Sequence, residues 1–216
     1  MDSLLAYLEA YPLVHDAVGI WISGGWAMIA LAINAFLLFW IGINLWINLN
    51  RTKGLGRVSE AKWRTWIAEP EKRRGPIGKL IGFVMGATDL EDLAVRFREL
   101  HSTEIAPFAR DLKFMRRAVS TAPLLGLLGT VTGMLSTFHA LATGSGGDQT
   151  MDMIAGGISE ALITTETGLV IALPGLFFQY HLARKRDRYE AFLAHLETVC
   201  TQYLYRLTRQ REREVA

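Results

Sequence analysis

The sequence predicts an all-α membrane protein with three transmembrane helices and long cytoplasmic helical extensions, and three observations carry that expectation. Half of the 216 residues are apolar, yet the charged ones fall into separate blocks instead of mixing along the chain. Three apolar stretches reach the roughly 20 helical residues that a hydrocarbon core about 30 Å thick requires. All 23 Lys and Arg lie in two blocks, fifteen from Arg51 to Arg117 and eight from Arg184 to Arg213. None precedes the first stretch or separates the second from the third. Cytoplasmic loops retain Lys and Arg while exported segments lose them, so the N-terminus is expected outside and the C-terminus in the cytoplasm.

Residues 1–23 form an outward-facing segment without a basic n-region, and Asp2, Glu9 and Asp16 precede any long apolar run. They are therefore read as retained rather than as a cleaved signal. Leu4, Leu5, Leu8 and Tyr11 share one helical face before Pro12, a pattern that suits a short interfacial helix. The first span, 24–48, is almost unbroken Ala, Ile, Leu, Phe and Trp and carries no charge. Residues 49–118 form a cytoplasmic helical region, punctuated near Gly54 and Gly56, at Pro70 and at Gly75-Pro76-Ile77-Gly78. Thr88 and Glu91 have capping-box spacing ahead of Leu90, Leu93, Ala94, Phe97 and Leu100, an amphipathic pattern. An interruption is expected near Pro107, after which Phe108, Leu112 and Met115 lead into the second span, 119–142.

The outer loop, 143–153, is short, and the third span runs over 154–181. Residues 182–216 form a cytoplasmic C-terminal helix in which Leu193, Leu196, Cys200, Tyr203 and Leu207 make a seam for a neighbouring helix, of the same or another chain. These cytoplasmic parts read as a helical stalk rather than as a separate folded domain with its own catalytic pocket. Cys200 has no partner in the sequence and fits a reducing compartment as a small packing residue.

Enzyme chemistry finds no constellation. Gly126, Gly129 and Gly133 lack the Lys-Ser/Thr pair of a phosphate loop and sit inside a span, where close helix packing is their role. His15, His101, His139, His181 and His195 are scattered and never at the i, i+4 spacing of a helical metal site, so no metal or cofactor is expected. The basic blocks lack the aromatic interleaving of a nucleic-acid surface, and topology explains them.

The polar residues inside the spans call for function. An ionisable group in a bilayer costs on the order of 2.5 kcal/mol or more and faces a bundle interior or a water path. At 100° per residue, Glu160, Thr164 and Thr167 share one face of the third span, while Gly157, Ala161, Thr165 and Ala172 make an adjacent face of small side chains. On the second span Gly126, Thr130, Gly133 and Thr137 align in the same way. Two matched stripes suggest a shared polar path; the plainer alternative is hydroxyls bonded back to helix carbonyls and glycines that only pack. Glu166 lies about 120° from Glu160 around the axis, so the two cannot point into one narrow pore, and Glu166 is expected to meet a polar group on an adjacent helix.

Thr121-Ala-Pro-Leu-Leu-Gly-Leu-Leu-Gly-Thr-Val-Thr-Gly-Met resembles the second-span signature of the MotA/TolQ/ExbB proton-channel family. Gly157-Ile-Ser-Glu-Ala-Leu-Ile-Thr-Thr and Gly168-Leu-Val-Ile-Ala-Leu-Pro-Gly are similar to its third-span segment, and the resemblance extends from about Gly24 onward. It implies a pentameric ring in the bacterial inner membrane around an ExbD-like or TolR-like single-span partner, whose aspartate carries the proton. It also implies that a TonB-like or TolA-like protein passes the work to the outer membrane. On the same resemblance Thr130 and Thr165 match the family's pore-facing threonines and Glu160 its third-span acid. Thr137, Thr164, Glu166 and Thr167 are carried as further polar-path or inter-subunit residues; Glu166 departs from the family pattern, which has a small apolar residue there. Three spans favour the ExbB and TolQ branches over a flagellar stator subunit. ExbB-like energising of TonB-dependent uptake is the preferred expectation, with TolQ-like envelope maintenance or a non-conducting scaffold as alternatives.

Overall fold

A computed structural model describes residues 19–51, 60–143 and 147–215, and among these every regular element is helical. They are α1 (Ala27–Arg51), α2 (Glu60–Ala68), α3 (Gly75–Met85), α4 (Leu90–Leu100), α5 (Ala106–Thr143) and α6 (Asp148–Val215). A 3-10 turn spans Pro70–Lys72 and a π-helical turn spans His101–Ile105. Three helical stretches, Ala27–Asn50, Leu90–Thr143 and Asp148–Gln210, are long and apolar enough to cross a membrane. The third span and the C-terminal tail are one helix, because no Gly or Pro interrupts the chain after Gly175. The interfacial helix expected around Leu4 to Tyr11 lies outside the described residues.

The chain divides into two compact units. The first comprises residues 1–41 and 115–178, and the second comprises 42–114 and 179–216.

The second unit has a core of its own. Trp63 and Ile67 of α2, Ile77, Ile81 and Val84 of α3, and Leu93, Phe97 and Leu100 of α4 are buried against Tyr189, Leu193, Leu196 and Cys200 of α6. Three short helices cannot each hide their apolar face alone, and α6 supplies the common surface. The tail seam thus packs on helices of its own chain, with Leu207 left exposed beyond the cluster. Trp63 stands edge-on to Phe192 at 6.1 Å and to His195 at 5.3 Å. Burial pushes the Cys200 thiol up to about 12, with the Arg73 guanidinium opposing the shift. Burial, reinforced by the Glu104 carboxylate whose Oε2 accepts from its hydroxyl at 3.1 Å, raises Tyr189 well above the ordinary phenol range.

Local chemistry fixes the corners. The cap of α4 is shifted one residue from the expected Thr88–Glu91 pair: Asp89 accepts from Asp92 N at 2.7 Å, and Asp92 Oδ2 accepts from Thr88 N at 3.1 Å. Two carboxylates at a helix N-terminus satisfy orphan N–H groups and meet the positive end of the dipole, which a hydroxyl does less well. At the other end of α2, Arg73 donates to the orphan carbonyls of Trp66 at 2.8 Å and Ile67 at 3.3 Å.

The interruption expected near Pro107 is the π-helical turn. Buried positions step from Leu93 to Phe97 to Leu100 at helical intervals and then take a step of five to Ile105. An α-turn would place Glu104 on the buried face; the wider turn brings Ile105 there instead. Pro107 favours the same solution, because it has no N–H to return and its ring crowds the preceding turn.

Candidate functional site

The expected site residues all lie in the first unit, where α5 and α6 approach through small side chains. A Cβ added at Gly133 would lie 2.6 Å from the Gly157 carbonyl oxygen, one at Gly168 2.7 Å from that of Ala122, and one at Gly126 2.9 Å from that of Thr164. One at Gly129 would overlap the Thr164 side chain. The glycines of both stripes therefore serve close packing, as the sequence indicated. Ala161 and Ala172 are buried in the same face.

Thr164 belongs to that contact rather than to the face assigned to it with Glu160. It is fully buried, and its hydroxyl donates to Ala161 O at 3.0 Å and Glu160 O at 3.1 Å, with Gly126 O of α5 at 3.5 Å. Gly129 makes the room: only a residue without a Cβ leaves space for the Thr164 side chain, which draws this position toward α5. Thr165 is half-buried and crosses between the helices, donating to Gly126 O at 3.3 Å as well as to Ala161 O at 3.3 Å. Thr137 is buried and donates to Met134 O at 2.7 Å. Half-buried Thr130 donates to Leu127 O at 2.7 Å, and Thr167 to Ile163 O at 2.8 Å. Within one chain each hydroxyl is thus satisfied by a helix carbonyl, and Thr130 and Thr165 are not bonded to each other.

The two carboxylates part company. Glu160 is half-buried, and its carboxylate lies against Gly25, in the turn that opens α1. Glu166 is exposed on the chain's surface, and among the described residues it has no hydrogen-bond or ion partner. The polar group expected opposite it on an adjacent helix is therefore not supplied by these residues.

Two residues escaped the sequence reading. Asn34 of α1 donates from Nδ2 to Ala118 O at 3.0 Å, and its Oδ1 lies 3.4 Å from the Thr121 hydroxyl, which itself bonds Ala118 O at 2.9 Å. An amide in the middle of an apolar run was the available signal, because an amide in hydrocarbon needs a partner. The second is Gly25, whose signal was a Gly-Gly pair at the head of the first span.

These features define a multi-pass helical membrane protein whose second and third long apolar helices pack through Gly, Ala and Thr beside the Glu160 carboxylate. The sequence profile of the MotA/TolQ/ExbB proton channel family matches residues 78–194, and the chain belongs to that family. An ExbB-like biopolymer transport protein of Synechocystis sp. is 37% identical over 107 residues, 47% of this chain and 42% of that protein. The Tol-Pal system protein TolQ of Pseudomonas aeruginosa is 32% identical over 114 residues, 51% of this chain and 48% of its own. The biopolymer transport protein ExbB of Xanthomonas campestris is 30% identical over 110 residues, 51% and 42% respectively. The matched stretch thus spans less than half the length of these relatives.

Proposed function

We propose that this chain is the proton-channel subunit of a bacterial inner-membrane motor that energises TonB-dependent outer-membrane transport. The observation that carries the reading is Glu160, a carboxylate held in the third span beside the threonine-bearing contact of α5 and α6, in a chain of a proton channel family. The N-terminus faces the periplasm, and the second unit and the C-terminus face the cytoplasm, following the Lys and Arg blocks. Five copies close a ring through heterologous contacts, and an ExbD-like single-span protein occupies its centre. A TonB-like protein receives the work.

In this reading Glu160 takes up and releases a proton, and the Thr130 and Thr165 hydroxyls rotate from their resting carbonyl bonds to meet the partner's ionisable group. Glu166, on the outer surface of the chain, contributes to contacts between subunits. Native mass spectrometry in mild detergent should give a ring of five; a monomer or dimer at every concentration would count against the pore. Glu160→Gln should abolish proton-driven uptake with the ring intact, whereas Glu166→Gln should lower ring stability or leave uptake unchanged. The reverse pattern would exchange the two roles, and uptake unaffected by either change would leave the proton to the partner's ionisable group alone.

TolQ-like envelope maintenance is the second reading, because the Pseudomonas TolQ matches this chain about as well as the Xanthomonas ExbB. Deleting the gene separates them: loss of iron-complex uptake marks the first, and detergent sensitivity with normal uptake marks the second.

A further inference from the structure

Gly24 and Gly25 form the turn that leads into α1, and Gly25 adopts φ +64°. A Cβ there would fall on the Glu160 carboxylate, meeting first Oε1 and then Cδ at 2.7 Å. The adjoining position is tight as well: a Cβ at Gly24 would approach Ile163 Cγ2 at 3.3 Å, one helical turn along α6 from Glu160. The turn therefore fits against the 160/163 face of α6, and the space a side chain would take is filled by the carboxylate itself. Left-handed backbone alone would admit Asn as well as Gly. With the Glu160 carboxylate in its seat, no Cβ fits at position 25.

We infer that Gly25 is a positioning residue for Glu160: the bare turn at the head of the first span receives the carboxylate and fixes where its oxygens sit. The inference rests on the reading of Glu160 as the proton carrier and adds what holds it in place. A proton step is sensitive to placement, and a displacement of about 1 Å can lower a rate on the order of a hundredfold. Any side chain at position 25 drives the carboxylate out of its seat by at least that much, since Oε1 and the new Cβ cannot share the space.

The test uses the full chain in cells that carry no other copy, with assembly followed by native mass spectrometry and function by proton-driven uptake. Gly25→Asn keeps access to the left-handed turn but adds a Cβ, so it separates the contact from the backbone. It should assemble normally and lose about tenfold or more of uptake. Pairing it with Glu160→Ala, which leaves the new Cβ no carboxylate to meet, should recover any thermal stability in detergent that Gly25→Asn loses. Full uptake in Gly25→Asn, or stability lost in Gly25→Asn and not recovered in the pair, would overturn the inference. Should Gly25→Asn fail to assemble, Gly25→Asn with Glu160→Ala decides: recovered assembly supports the contact, and continued failure overturns it. Glu160→Gln run in parallel keeps the two ideas apart. An inactive Glu160→Gln with a fully active Gly25→Asn removes only the role of Gly25, whereas an active Glu160→Gln removes the proton-carrier reading on which that role depends.

Discussion

The two units of this chain are both helical, yet their main helix contacts are built from different materials. In the first, the contact between α5 and α6 is made of Gly126, Gly129, Gly133, Gly157, Ala161 and Gly168, with Thr137, Thr164 and Thr165 as its larger members. In the second, Trp63, Ile67, Ile81, Phe97 and Leu196 fill the space between helices. The surrounding solvent explains the difference. In lipid, tails are as apolar as side chains, so burying a Leu gains little and helices associate by bringing backbones close enough for dispersion and hydrogen bonds. In water, each large apolar side chain removed from solvent contributes roughly 1.5–3 kcal/mol, so bulk is favoured. Many large apolar residues of the first unit point outward, as Phe36, Trp40, Leu124, Phe138 and Phe177 do, while Leu31 and Leu38 of α1 are buried.

The strongest challenge to this contrast is Gly133→Val. Its Cβ would meet the backbone oxygen of Gly157 at 2.6 Å, which cannot swing aside as a side chain can. We expect no assembled complex by native mass spectrometry; normal assembly would show that close approach does not hold the first unit. Next in size is Trp63→Ala, which empties the centre of the second unit and should cost about 3–5 kcal/mol in denaturant unfolding of the detergent-solubilised chain. A cost near that of an ordinary surface change would mean that bulk is not what holds this unit.

Thr130→Val with Thr165→Val retains volume and removes two hydroxyls, so it asks whether the first unit's threonines serve packing alone. The ring should survive while proton-driven uptake falls about tenfold or more; full uptake would leave them structural. The smallest effect concerns Cys200. Its folded pKa of about 12 exceeds the ordinary 9.0, so the folded state holds its proton longer than the unfolded chain. The stability this contributes is fully present below pH 9 and is lost as pH rises toward 12. Thermal unfolding compared between the parent and Cys200→Ala should therefore differ most in slope across that window, and identical slopes would remove the effect.

Much of this was legible in the sequence for reasons that differ between the units. Three long apolar runs and one-sided charge gave the spans, because length and the absence of charge are local properties. The close packing at Gly126, Gly129 and Gly133 was readable too, since glycine at helical spacing has few other uses in a membrane. The second unit's core was not, because its apolar residues come from four separated segments and nothing local says that Trp63 meets Leu196. The one-residue shift of the α4 cap turned on Asp89 competing with Thr88, a contest of neighbouring caps that spacing alone does not settle. The burial of Thr164 against α5 was not readable, because only Gly129, on another helix, opens the room that this side chain fills. Gly25 lay hidden because its partner, Glu160, is distant in sequence.

The π-helical turn at His101–Ile105 has a bearing on how the chain's length could change over generations. A π-turn is an α-helix carrying one surplus residue, and the surplus here is absorbed between Leu100 and Ile105. Excising one residue, for instance Thr103, would let the segment close as ordinary α-helix, with Ile105 then one α-turn from Leu100 and still on the buried face. The face of α4 that buries Leu93 and Phe97 would keep its place against α6, so the deletion needs no compensating insertion elsewhere. Length variants of this region should therefore include single-residue gaps at the turn with no matching change before Asp89.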